Sequence, residues 1–414
     1  MTDGTAIERP VLWGQLGPPV VFSPPTGGGA KVNVPTTAAQ GERLGGRFTD
    51  LDNAFNEQAT LTQSLGASEP QLVIVFEAID EREDLSGVAA RAGLEILIEV
   101  DRDFDPDPDF PRKTKNQDLA TGGCLHAICV NEQAKANVLS QWRKWQDTDN
   151  VDTGYAPLKR LFAHLKDVRP WGPEDRVRTG DVAEALEEML PGDHLVEIEL
   201  WFRQSEEARR RAQAEVTSLL ERGGGTVISV AQVPEVGYHG IKGTVPLDLL
   251  QRLAAGDYDA VAVVKSAHVM YLRVTAQSHA ISDETPITPP AAAPLPTGDP
   301  VLCVLDGVPV ANHPLLAGRI IVTDPDDLEA DTSVDTELRR HGTAMASICV
   351  WGDRGHVTDP AARPVLVRPI LTPARDSIGN WEELPTSVLA PDLMRRVFRE
   401  LFEGDGTTPA SAPS

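Results

Sequence analysis

The spacing of apolar positions changes repeatedly along the chain, and each change marks an element. Leu44, Phe48, Leu51 and Phe55 recur at helical spacing within residues 37–65, interrupted by Gly45-Gly46. Leu72-Val73-Ile74-Val75-Phe76 is an unbroken apolar run, which predicts a strand covered on both faces. A short helix is expected around Leu85–Ala92. Leu94, Ile96, Ile98 and Val100 then alternate with Glu95 and Glu99, the pattern of a half-buried strand. A further strand is expected over Cys124–Val130. Asn131 caps a helix that places Ala134, Val138, Trp142 and Trp145 on one face, where both tryptophans read as core. His126 reads as a packed histidine, not a ligand. Leu158, Leu161, Phe162 and Leu165 return to helical spacing.

The first pattern then comes back. Val196, Ile198, Leu200 and Phe202 alternate with Glu197 and Glu199. Ser205 caps a helix bearing Ala208, Ala212, Val216, Leu219 and Leu220, which stops at Gly223-Gly224-Gly225. Strands are predicted over Val227–Val233 and Gly240–Val245, and a helix opens at Pro246 with Leu249, Leu250 and Leu253. A strand at Ala260–Val264 is expected to close the unit. This is β-α-β-β-α-β, the ferredoxin-like order. Residues 71–146 follow the same order through the second helix, so two tandem α+β ferredoxin-like units are expected.

The stretches between these elements are polar or rich in Pro and Gly. Residues 1–36 contain Gly27-Gly28-Gly29 and read as an extended arm. The glycine run lacks a following Lys-Ser/Thr, which argues against a phosphate loop. Asp105, Asp107 and Asp109 lie among prolines without a glutamate at loop position twelve, so a solvated loop is favoured over a calcium loop. Arg169-Pro170-Trp171-Gly172-Pro173-Glu174-Asp175-Arg176 reads as a rigid structural turn in preference to a peptide-docking edge. Residues 283–299 form a semi-rigid Pro/Ala linker. The expected organisation is an arm and helix over 1–69, unit one over 70–150 and a helical connector over 151–193. Unit two spans 194–282, the linker 283–299, and a last α/β region 300–414.

Charge and cysteine usage narrow the partners. A net charge of −24 argues against nucleic acid or an anionic membrane. Cys124, Cys129, Cys303 and Cys349 are too few for a disulfide framework in 414 residues and read as thiols in a reducing compartment. No stretch approaches the roughly 20 apolar residues of a membrane span. The first residues lack the basic start and apolar run of a signal peptide, so a cytoplasmic protein is expected.

The candidate chemistry lies in the last region. Val301-Leu302-Cys303-Val304-Leu305 is a strand-type run ending on Asp306-Gly307-Val308, with His313-Pro314-Leu315-Leu316 soon after. Arg340-His341-Gly342-Thr343-Ala344-Met345-Ala346-Ser347 opens a helix 35 residues beyond Asp306 (counted to His341). An acid at the end of a buried strand is costly without a partner. A histidine at a helix mouth can supply one: its Nδ1–H donates to the carboxylate and its Nε2 is left as a general base. Pro364–Leu371 reads as the next parallel strand, and Leu393–Phe402 as a helix with a polar, disordered tail beyond.

The strand-Asp306-Gly307 motif, followed by His341-Gly342-Thr343-x-x-Ala346-Ser347, resembles the first two catalytic motifs of the subtilisin-like serine peptidases. The resemblance implies a parallel-sheet α/β domain in which Asp306 orients His341 and a Ser comes third, roughly 150 residues later. Only 73 residues follow His341. Gly406-Thr407-Thr408-Pro409-Ala410 imitates the family's Ser motif but ends too near the last residue to open a buried helix. The expectation is therefore an incomplete peptidase domain, inactive alone, acting on protein or peptide substrates once a chain supplies the Ser half. No cofactor or metal is implied. The layout, with Arg169–Arg176 and the helix containing Leu393–Gly404, resembles large cytoplasmic bacterial members that are often paired with an AAA-class ATPase. Unit two stands where many relatives carry a ferredoxin-like propeptide. The competing expectation is a truncated regulatory protein that binds through its two ferredoxin-like units.

Overall fold

A computed structural model describes residues 32–65, 69–80, 85–187, 189, 191–275, 293–332, 336–352, 359–375 and 380–403. The Gly27–Gly29 run, most of the Pro/Ala linker and the Gly406–Ala410 motif lie outside the described residues. The fold is mixed α/β, with two antiparallel sheets and one sheet that is mainly parallel. Among the described residues, no helix is long and apolar enough to cross a membrane.

Helix α1 (Thr37–Ser64) runs straight through Gly45-Gly46, where an interruption was expected. Thr36 caps it, accepting the Ala39 N–H at 3.3 Å. The buried stripe Leu44, Phe48, Leu51 and Phe55 carries the helix, because tertiary burial outweighs the weak propensity of two glycines.

The first sheet is built from β1 (Leu72–Ile79), β2 (Glu95–Phe104), β3 (Thr121–Val130) and β4 (Leu165–Pro170), in the order β2-β3-β1-β4. Helix α2 (Ser86–Ala92) joins β1 to β2, and α3 (Glu132–Thr148) and α4 (Ala156–His164) lead from β3 to β4. Trp142 stacks on Phe48 at 4.1 Å between ring centroids, and both tryptophans are core as read. Strand β4 falls inside 151–193, where a helical connector was expected. Among the described residues it is an edge strand paired with β1 alone, and of its own residues Leu165 and Val168 are buried. Two buried residues three apart give no period-two signal.

The connector proper is α5 (Pro173–Arg176) and α6 (Thr179–Leu186). The Arg169–Arg176 motif is a structural turn. Arg169 pairs with Asp175 at 2.6 Å, and the Trp171 Nε1–H donates to Met270 O at 3.0 Å. The buried Arg176 guanidinium donates to Val269 O at 3.0 Å, to Val264 O at 2.6 Å and to Trp171 O.

The second sheet repeats the order. Strands β5 (Asp193–Leu200), β6 (Thr226–Val233), β7 (Tyr238–Pro246) and β8 (Val269–Val274) lie as β6-β7-β5-β8. Helix α7 (Glu206–Arg222) joins β5 to β6, and α8 (Leu247–Ala254) with α9 (Ala262–Lys265) joins β7 to β8. The strand expected at Ala260–Val264 is instead a helical turn, and the closing strand comes later. Val261, Val263 and Val264 are fully buried in that turn, and a short apolar run satisfies burial as a helix as readily as a strand.

The third sheet holds the candidate site. Strand β11 (Val365–Arg375) lies between β9 (Cys303–Gly307) and β10 (Ile320–Val322): Leu366 and Val367 pair in parallel with Cys303 and Val304 on one side and with Ile321 and Val322 on the other. Its far end pairs antiparallel with β12 (Asn380–Glu383). Helices α10 (Leu328–Thr332) and α11 (Arg340–Trp351) precede β11, and α12 (Ala390–Glu403) follows β12. Leu315, Leu316, Ala346, Val350 and Trp351 pack with Val304, Val365 and Val367 to form the core beneath the site.

Candidate active site

The site begins where β9 ends. Asp306 occupies the carboxyl end of a parallel strand, the edge at which open α/β sheets gather functional groups. Asp306 is 7% exposed, and its Oδ1 accepts the Gly307 N–H at 2.8 Å. His341 sits in the first turn of α11 with Nδ1 2.6 Å from the same Oδ1. A carboxylate can only accept, so Nδ1 carries a proton, and in the neutral ring Nε2 then presents its lone pair. The imidazole is 48% exposed, and its Nε2 has no hydrogen-bond partner among the described residues.

The two residues after His341 explain why the ring is there. A Cβ on Gly342 would stand 2.3 Å from Gly307 O, so α11 lies backbone to backbone on the end of β9. Thr343 Oγ1 accepts the Val310 N–H at 2.9 Å and donates to Arg339 O. His313 does not join the dyad: its Nδ1 accepts the Leu315 N–H at 3.3 Å within a local turn.

Glu382 is a third functional side chain, and sequence reasoning missed it. Its Oε2 lies 3.4 Å from His341 Nδ1 and accepts the Gly342 N–H at 3.1 Å. Its side chain is only 5% exposed. A Cβ on Gly307 would lie 2.2 Å from the Glu382 carboxyl, so that glycine makes room for the acid. Burial, reinforced by the Asp306 charge, pushes the Glu382 carboxyl up to about 7. Nothing in Asn380-Trp381-Glu382-Glu383 separates Glu382 from an ordinary surface acid; only the β11–β12 pairing turns it inward.

Ligand atoms of Asp306, His341 and Glu382 lie within 4.8 Å of one another. Two ligands on a tetrahedral ion with bonds of about 2.0–2.1 Å stand roughly 3.3 Å apart. The separation of 2.6 Å between Nδ1 and Oδ1 is a hydrogen bond, so the arrangement as it stands holds a proton. Among the described residues, no hydroxyl is hydrogen-bonded to Nε2; Thr372 Oγ1 donates to Glu383 O at 3.2 Å. Thr358, Ser377, Thr407, Thr408, Ser411 and Ser414 lie outside the described residues.

The remaining chemical candidates take structural roles. His126 Nδ1 meets Glu99 at 2.8 Å on the first sheet. Burial pushes the Cys129 thiol up to about 11, far from a reactive thiolate. Asp107 pairs with Lys166 at 3.1 Å and Asp109 with Arg43 at 3.8 Å. No protein-family model, no curated protein and no solved structure matches the chain.

Proposed function

We propose that the chain carries the acid–base part of a serine-type endopeptidase of the subtilisin-like kind. Asp306 fixes the Nδ1–H tautomer of His341, and His341 Nε2 takes the proton of a serine that attacks a peptide carbonyl. The observation that carries the reading is the hydrogen bond of 2.6 Å between His341 Nδ1 and Asp306 Oδ1, with Nε2 open above the carboxyl end of β9. Among the described residues no hydroxyl meets Nε2, so the reading leaves the serine to residues other than these. The reading takes the two β-α-β-β-α-β units as ferredoxin-like, the second in a propeptide-like position. It takes the 300–414 region as the front of a subtilisin-like sheet in a cytoplasmic protein. Protein substrates and an AAA-class ATPase partner belong to it.

Contacts on the second sheet support the propeptide-like placement. Leu389 packs on Ala231, Val233 and Tyr238, the Lys242 ammonium donates to Val388 O at 2.9 Å, and Arg395 pairs with Glu235 at 2.9 Å. The competing regulatory reading needs free sheet faces. On the first sheet, Val73, Ala127 and Cys129 are instead covered by Trp201, with Trp171 and Met270 packed alongside.

The test is a search for the missing nucleophile. The protein is purified from its native cells through an affinity tag and treated with a fluorophosphonate probe. The proposal predicts a labelled serine, located by mass spectrometry, with labelling lost in His341→Ala. Labelling that survives His341→Ala contradicts it.

A further inference from the structure

The Nδ1–H of His341 is a single proton with two carboxylates around it. Asp306 Oδ1 stands at 2.6 Å and Glu382 Oε2 at 3.4 Å. The two acids come from different elements, β9 and β12, and both are buried while the ring is half-exposed. A triad needs only one of them. Glu382 also accepts the Gly342 N–H, so it ties β12 to the opening turn of α11 immediately beside the ring.

We propose that Glu382 is a positioning residue of this site, a second carboxylate that shares the Nδ1 proton of His341 with Asp306 and sets the charge the ring carries at neutral pH. The proposal rests on the peptidase reading only for its catalytic consequence; the proton-sharing itself stands on the geometry.

With Glu382 ionised, two negative charges flank the ring and favour imidazolium, in which Nε2 is protonated and cannot act as a base. With Glu382 protonated, one carboxylate remains, and Nε2 is free. The amino end of α11 opposes a positive ring. The charge on Glu382 and the charge on the ring are therefore coupled, because the two groups stand 3.4 Å apart. Besides its burial, the groups acting on Glu382 are Asp306 from β9 and, from α11, His341 and the Gly342 N–H. In the turn before α11, Arg339 pairs with Glu329 at 3.0 Å, and farther along α11 burial, with the Asp306 charge second, pushes the Cys349 thiol up.

The consequence is a pH-dependent base. A Glu382 that competes for the proton widens the range over which the ring changes charge. A glutamate that merely caps α11 leaves the ring's titration untouched. Glu382→Gln separates the two roles, since its amide oxygen still accepts the Gly342 N–H while the charge is gone.

The experiment is a two-bond ¹H–¹⁵N titration of the histidine rings in the 414-residue chain, with His341 assigned from His341→Gln. Wild type, Glu382→Gln, Glu382→Ala and Asp306→Asn are compared, and circular dichroism checks that each is folded. The proposal predicts a two-step titration of His341 in wild type. It predicts a single step in Glu382→Gln, with the midpoint lower by about one pH unit, a tenfold weaker hold on the proton. Glu382→Ala moves the midpoint the same way. A one-step wild-type curve, with Glu382→Gln within about 0.2 unit of it, overturns the proposal and leaves Glu382 a helix cap. Asp306→Asn judges the dyad separately: a ring unchanged in that variant rejects the peptidase reading, whatever Glu382 does.

Discussion

Gly342→Ala tests whether the contact between α11 and β9 sets the dyad geometry. The new methyl carbon would stand 2.3 Å from Gly307 O, 2.6 Å from Gly307 C and 3.1 Å from Gly307 Cα. All three atoms are backbone, so no side chain can swing away. Ordinary contact begins near 3.4 Å, and the first turn of α11 must therefore rise by about 1 Å. His341 precedes Gly342 in that turn, and a hydrogen bond of 2.6 Å stretched by that amount passes the limit of about 3.5 Å. Overpacking of this kind costs about 1–3 kcal/mol of stability. In an assembled peptidase, misplacement of the base by about 1 Å costs on the order of 10² in rate. Urea unfolding of the wild type and variant reads the first quantity, and the His341 ring ¹⁵N shifts read the second effect without turnover. A variant as stable as wild type, with the ring still locked to Asp306, would show that the close approach does not govern the site.

Three other outcomes follow from the fold. Gly46→Ala should stabilise the protein by about 0.5–1 kcal/mol, measured by the same unfolding experiment, because a methyl there meets nothing within 4 Å and the helix gains a better former. Arg176→Ala should destabilise by about 3 kcal/mol or more, since the carbonyls of Val264, Val269 and Trp171 lose their donor, a penalty of about 1–3 kcal/mol for each buried group left unpaired. His239 gives a pH dependence: burial, with Arg209 nearby, lowers its pKa from 6.5 to about 4. The unfolded chain therefore binds a proton in that window that the folded chain does not. Stability is complete above pH 6.5 and falls as pH drops toward 4, by up to about 3 kcal/mol in wild type and by less in His239→Gln, when urea midpoints are followed across pH.

Much of this architecture is legible along the chain, for identifiable physical reasons. The run Leu72–Phe76 is covered on both faces in β1, and the stripe Leu44–Phe55 faces the first core, because burial imposes its period on the sequence. Asp306 and His341 are legible as partners because the short segments around them carry steric and hydrogen-bonding demands of their own. Gly342 allows the backbone approach, and Thr343 ties α11 to Val310. Strands β4 and β8 escape because edge strands bury few residues and leave no alternation. Glu382 escapes for a different reason: its burial is created by strand pairing between β11 and β12, a non-local event that leaves no mark on its neighbours.

The central claim is that Asp306 holds His341 in the tautomer that frees Nε2. The most direct measurement is the two-bond ¹H–¹⁵N correlation spectrum of the His341 ring above its titration, in wild type and in Asp306→Asn. The account predicts an Nδ1-protonated ring in wild type and loss of that preference in Asp306→Asn, the change that costs about 10⁴ in turnover when a serine is present. An Nε2-protonated ring in wild type, or an Nδ1-protonated ring that persists in Asp306→Asn combined with Glu382→Gln, contradicts it.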